Sequence, residues 1–137
     1  MRYKTPEIES QHISLQWKGP ALWGVLGALD SHCHLTGWAD PTITSIWRTE
    51  NDPYKMHQSW RAADLRISNK ARGDRNELSL DHWIICADLI NGAFVYGETA
   101  SGRITTVCKI RRAALGHHED PLNDHVHIQV PNRASWL

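Results

Sequence analysis

Apolar residues recur at three- and four-residue intervals in two stretches of this chain and alternate with polar residues in several others. Over residues 20–35, Leu22, Val25, Leu26 and Leu29 fall at helical spacing behind Pro20, which suits a first helical turn, and Gly37 and Pro41 close the segment. Ser79 reads as an N-cap, with Leu80, Trp83, Ile84, Ala87, Ile90 and Phe94 following at the same spacing, so a second helix is expected there. Residues 42–48 are rich in β-branched side chains and predict a strand, and Asn51-Asp52-Pro53 marks the turn after it. In 62–67, Ala63, Leu65 and Ile67 alternate with Asp64 and Arg66. In 125–130, Val126, Ile128 and Val130 alternate with His125, His127 and Gln129. Both segments predict half-buried strands, each with its charged or polar residues on one face. A third strand is expected over 103–110, with loops at 68–76 and 111–123 and a turn at 97–102. The sum is α+β: one domain over residues 1–137, with helices on one face of a small, mainly antiparallel sheet.

Candidate chemistry falls on the polar faces. Histidine and carboxylate together form the mixed nitrogen and oxygen donor set of a catalytic zinc site, where three protein ligands leave a fourth position open. If the strands carrying Asp64 and His127 lie side by side, His57, Asp64 and His127 converge on one metal, and His125 stands two residues away as a free imidazole. The donor set favours zinc, but spacing alone leaves manganese and cobalt open.

A histidine, six residues, an aspartate and a distant His-x-His resembles the zinc D-Ala-D-Ala carboxypeptidases, the L-Ala-D-Glu endolysin peptidases and the murein endopeptidases, which share a fold with the hedgehog signalling domain. Thr42-Ile-Thr-Ser-Ile-Trp-Arg48 is similar to a strand of that family whose arginine contacts substrate near the scissile bond. The likeness spans about Ile43 to Val130 and is carried by three short stretches. It implies a hedgehog/DD-peptidase-like fold and zinc held by His57, Asp64 and His127. It also implies catalytic roles for His125 and Arg48, the first as the group assisting water or the oxyanion and the second as a substrate contact. The implied activity is hydrolysis of peptide stems or cross-links of bacterial peptidoglycan. Two positions depart from the pattern: Lys55 stands where the family has serine, and Trp60 where it has glycine.

Balanced charge, with 15 basic and 15 acidic residues, gives no global pull toward nucleic acid or an acidic membrane, so neither is expected as a partner and a monomer is. No run is apolar enough to span a bilayer, and the start of the chain lacks the apolar core of a secretory signal. A cytoplasmic product is therefore expected, reaching the wall through holin-type release or as part of a virion, in a phage or prophage setting. The three cysteines, Cys33, Cys86 and Cys108, form neither a disulfide framework nor a Cys-x-x-Cys knuckle and read as reduced, buried thiols. Seven tryptophans are many for 137 residues, and Trp38, Trp47 and Trp60 flank the candidate site in sequence, where aromatic walls would suit a peptide or sugar cleft.

Other patterns are weaker. His32-Cys33-His34 matches His-x-His as text but sits in a predicted helix, where residues two apart point in different directions. His117-His118-Glu119-Asp120 reads as a solvated loop able to edge a cleft, and Asp81 and His82 as first-turn helix residues. Two other readings stand beside the peptidase: a non-catalytic zinc scaffold of a virion, and a His-hydrophobic-His DNA nickase with Tyr96 as nucleophile.

Overall fold

The structure, a computed structural model, describes residues 1–98 and 104–131. A short strand β1 (Arg2–Tyr3) leads into helix α1 (Pro6–Lys18), and α2 (Pro20–Thr36) follows after Gly19 alone. Thr5 starts α1 by accepting the Ile8 amide on its side chain, with Pro6 in the first turn and Glu7 and Glu9 near the positive helix end. Sequence periodicity did not predict α1, because its buried stripe, Ile8, His12 and Leu15, has a histidine at its centre. Helix α2 forms where expected and ends at Gly37, whose φ of 73° supplies the left-handed cap that glycine adopts freely.

Strand β2 (Thr42–Ser45) stops three residues before the predicted end, because a register irregularity between Ile43 and Ser45 turns the chain out of the sheet. Strand β3 (Ala62–Arg66) and helix α3 (Leu80–Ala93) follow, the latter capped by the Ser79 side chain accepting from the His82 amide. The buried stripe of α3 is Trp83, Cys86 and Ile90, whereas Ile84, assigned to that stripe by spacing, is exposed. The predicted strand at 103–110 divides. Its first described part is β5 (Ile104–Thr105), which pairs with β4 (Gly97–Glu98), and β6 (Cys108–Arg111) joins the main sheet. The expected turn at 97–102 thus begins as strand, and residues 99–103 lie outside the described residues. One 3-10 turn (Lys70–Arg72) lies in the first predicted loop and two (Ala113–Leu115 and Pro121–Asn123) in the second, before β7 (His125–Gln129).

Strand order in the main sheet is β1-β2-β3-β7-β6. The sheet is mixed rather than antiparallel, since β1 runs parallel to β2 while the other three pairings are antiparallel. Ile43, Ala63, Leu65, Val126 and Ile128 share one apolar cluster with Leu15, Leu22, Leu26 and Trp83, so the helices cover that face. Two polar contacts fix α3 to the sheet. Trp83 Nε1–H donates to the Arg66 carbonyl at 3.0 Å, and the Asn91 side chain bonds both backbone groups of Cys108, at 2.8 and 2.9 Å. All three cysteines are free and buried, and burial pushes the Cys108 thiol up to about 12. Among the described residues no helix is long and apolar enough to cross a membrane.

Gly19 lets the α1–α2 corner sit against the loop that carries His57. A Cβ there would lie 2.3 Å from the Trp60 carbonyl oxygen, a backbone atom that cannot swing away. Gly19→Ala is therefore expected to destabilise the fold by about 1–3 kcal/mol, the usual scale for overpacking, read as a lowered midpoint in chemical denaturation. His12 gives the second expectation. It is buried on α1 between the rings of Tyr3 and Trp23, with its Nδ1 2.7 Å from the Tyr3 hydroxyl. Burial holds its pKa below the usual histidine value, and the nearby Asp30 only partly offsets this. The folded state thus binds its proton less readily than the unfolded chain, so stability falls as pH drops below about 6.5 and levels off below the lowered folded pKa. His12→Gln should make the melting temperature less sensitive to pH between about 7 and 5.

Candidate metal centre

Pairing of β3 with β7 places Asp64 opposite His127 and Arg66 opposite His125. Alternation then turns all four side chains to the face away from the helices. His57 arrives from the loop after β2. That loop is held by the Asp52 carboxylate, which accepts the backbone amides of His57 and Gln58 at 3.3 and 2.9 Å. Burial would raise the Asp52 pKa, but those amide bonds outweigh it and hold the carboxyl below its usual value. The loop reaches the site through left-handed backbone at Asn51, Lys55 and Trp60. Trp60, at φ 58°, adopts the conformation that glycine takes without strain.

His57, Asp64 and His127 are all buried, and one potential ligand atom from each lies within 4.8 Å of the others. The chemistry of the donors fits a cation. His57 Nδ1–H donates to the Ile46 carbonyl at 2.6 Å, which leaves the Nε2 lone pair facing Asp64 Oδ2 at 3.5 Å. That Nε2 is buried and has no hydrogen-bond partner, an orphan that a metal ion would satisfy. Burial lowers the His57 pKa despite the neighbouring Asp64, keeping the ring in its neutral, ligating form. His127 repeats the arrangement with its nitrogens exchanged. Its Nδ1–H donates to Asp64 Oδ1 at 2.8 Å and its Nε2 lies 2.9 Å from Gln129 Oε1, so a cation at Nδ1 would take the place of that proton, with Nε2–H then donating to Gln129. An acceptor on the far nitrogen of each ring is what orients metal-binding histidines. Burial alone would raise the Asp64 pKa, but the His127 hydrogen bond and the neighbouring His57, His127 and Arg48 groups outweigh it, so the carboxylate stays ionised.

Arg48 lies beyond the end of β2, where its Nη1–H groups donate to Asp64 Oδ2 at 2.6 Å and Ser45 Oγ at 2.9 Å. An arginine and a cation on Asp64 would compete for one carboxylate oxygen. His125 stays outside the three-residue group. Its Nδ1–H donates to the Asn123 carbonyl at 2.7 Å, and its Nε2 stands 3.9 Å from Asp64 Oδ1. Burial lowers its pKa as well, with Asp64 opposing.

Asp64, His125 and Arg48 reach a cleft of about 750 Å³, whereas His57 and His127 are buried beside Asp64 without lining it. Comparison with known family models, curated proteins and solved structures finds no match to this chain. The site therefore stands on its own geometry.

The expected aromatic walls are absent from the cleft, whose described lining is mostly charged and polar, with Leu65 and Leu122, and includes no tryptophan. Trp38 stacks on His82 at 4.1 Å, and Trp47 pairs with Trp60 at 6.4 Å, with Lys18 Nζ 4.5 Å above the Trp60 ring. His32 packs edge-on to Trp38, and His32 and His34 join no metal-competent group among the described residues. His117 and His118 line the cleft, and the His118 ring stacks on His125 at 5.7 Å while pairing with Asp124. Tyr96, the nucleophile of the nickase reading, does not line the cleft; its hydroxyl accepts from Arg61. Sequence reasoning missed the orienting groups. Gln129 was open to discovery two residues after His127 on the same strand face, whereas the Ile46 carbonyl is a backbone group without a sequence signal.

Proposed function

We propose that this protein is a zinc-dependent peptidase acting on the peptide stems or cross-links of bacterial peptidoglycan, from a phage or prophage. The observation that carries the reading is the buried His57–Asp64–His127 cluster, with its orphaned His57 Nε2, whose Asp64 lines an open cleft. His57, Asp64 and His127 would hold the ion through two neutral imidazoles and one carboxylate, a set suited to zinc. When bound, such an ion supplies Lewis acidity toward a carbonyl and toward water.

The remaining chemistry belongs to the chain. His125, on the same strand face as His127, has a free Nε2 lone pair because Nδ1–H is committed to Asn123. It is suited to take a proton at Nε2 from attacking water and return it to the leaving amine. Arg48 already spans Asp64 and Ser45 at the cleft, and its guanidinium would hold a substrate carbonyl or carboxylate. The resemblance to the zinc peptidase family supports the same roles, and the left-handed Trp60 agrees with the glycine that the family has at that position.

One observation favours a rival. The Arg48–Asp64 ion pair neutralises the carboxylate without a metal, as a scaffold that had lost catalysis would require. Digestion of purified peptidoglycan with zinc, and again with chelator, tests the proposal. New free amines and trimmed muropeptides in mass spectra, abolished by chelator, are the expected result. Intact muropeptides from every wall type under both conditions would favour the scaffold.

A further inference from the structure

The sheet registers place a second polar row beside the candidate metal centre. Arg66 on β3, His125 on β7 and Arg111 on β6 lie directly opposite one another across three strands. Asp64, His127 and Lys109 form the neighbouring row on the same face, two residues along the strands or roughly 6.8 Å away. Arg66, His125 and Arg111 all line the cleft.

This row carries more positive charge than its surroundings balance. Arg72, also in the lining, is committed to Asp74 at 2.6 Å. Arg66 has no close acid of its own: Glu77, at 3.9 Å, is already held by Arg2 at 3.3 Å and by the Thr42 hydroxyl, and Asp74, whose carboxylate also feels the Arg66 charge, is taken by Arg72. Asp124, the acid nearest in sequence to His125, is taken by His118, Arg112 and the Ala113 amide. The guanidinium of Arg111 has no hydrogen bond or ion pair among the described residues, and its Nε is buried without a partner. Two forked guanidiniums flanking an imidazole suit a planar oxyanion approached edge-on. Glu50, Asp64 and Asp124 share the same cleft and would repel an extended polyphosphate, so the site suits one compact anionic group.

We propose that Arg66 and Arg111, on either side of His125, form a carboxylate-binding subsite, so that the substrate is an acidic peptide whose carboxylate lies about two residues from the bond at the metal centre. The spacing of the two rows matches two residues of extended peptide. The proposal rests on the peptidase reading for its substrate, but binding at the arginines is measurable without turnover. A terminal and a side-chain carboxylate present the same chemistry, and three probes separate them. These are acetyl-D-Ala-D-Gln (terminal carboxylate only), acetyl-D-Ala-D-Glu-amide (side-chain carboxylate only) and acetyl-D-Ala-D-Gln-amide (neither).

The experiment titrates each peptide into chelator-treated and zinc-supplied protein, following the arginine Nε–Hε signals by NMR and measuring zinc content in the same samples. At least one acidic peptide should bind roughly tenfold or more tightly than the neutral amide, shifting the Arg66 and Arg111 signals. That advantage should vanish in Arg66→Gln and Arg111→Gln, whose amide spectra report whether each variant remains folded. Equal binding of all three peptides, or an advantage that survives the double substitution, overturns the subsite. Carboxylate preference without zinc uptake would defeat the metal reading and keep the subsite, and zinc uptake without preference would do the reverse.

Discussion

Asp64→Ala and His127→Ala should each leave the purified protein almost free of zinc, while the wild type carries close to one ion per chain. Each substitution deletes one of three converging donor atoms. Losing a group that merely orients a ligand typically weakens metal binding by about 10- to 100-fold, so losing a ligand should cost more. Gln129→Leu supplies that intermediate case, because it removes the acceptor on His127 Nε2 and leaves the donor set complete. The expected order of zinc affinity is wild type, then Gln129→Leu, then the two ligand variants. Joint replacement of His32 and His34 should change nothing, since these helix residues lie in no such cluster. Elemental analysis of dialysed samples reads all of this. Undiminished zinc in Asp64→Ala would remove the site from consideration, and loss of zinc in the folded His32/His34 double variant would move it to α2.

The second large effect separates binding from chemistry. His125→Ala should retain zinc and the fold while slowing peptide release from peptidoglycan roughly a hundredfold or more, the usual scale for a positioned acid–base or oxyanion group. Its Nε2 is 3.9 Å from Asp64 Oδ1, and its other nitrogen is tied to Asn123. The imidazole thus sits beside the donor cluster without belonging to it. Mass spectrometry of released fragments, with zinc measured in the same sample, distinguishes the outcomes. Full activity would exclude His125 from the mechanism, and loss of zinc would make it a ligand.

The parts of the molecule legible in the sequence are those with strict periodicity. Alternation in β3 and β7 fixed which residues face the core, so Asp64 and His127 could be assigned to one polar face before their pairing was seen. The caps and stripes of α2 and α3 were equally open, apart from Ile84. Strand β1, two residues long, is too short to show a period, and its parallel pairing with β2 has no local signal. Helix α1 escaped because polar His12 occupies a buried position. In the site, the irregularity in β2 ends the strand early and brings Arg48 onto Asp64, a contact that strand alternation alone would not give. The arginine row was hidden for a related reason. Arg66, His125 and Arg111 come from three separate segments, and only their registers reveal that they are neighbours.

The most direct test of the metal centre is a crystal of the zinc-supplied protein measured on both sides of the zinc absorption edge. One strong anomalous peak is expected, bounded by His57 Nε2, the Asp64 carboxylate and His127 Nδ1, with His125 and Arg48 alongside and unligated. A peak at His32 and His34 or at His117 and His118, or none at the Asp64 cluster in crystals soaked with zinc, would contradict it.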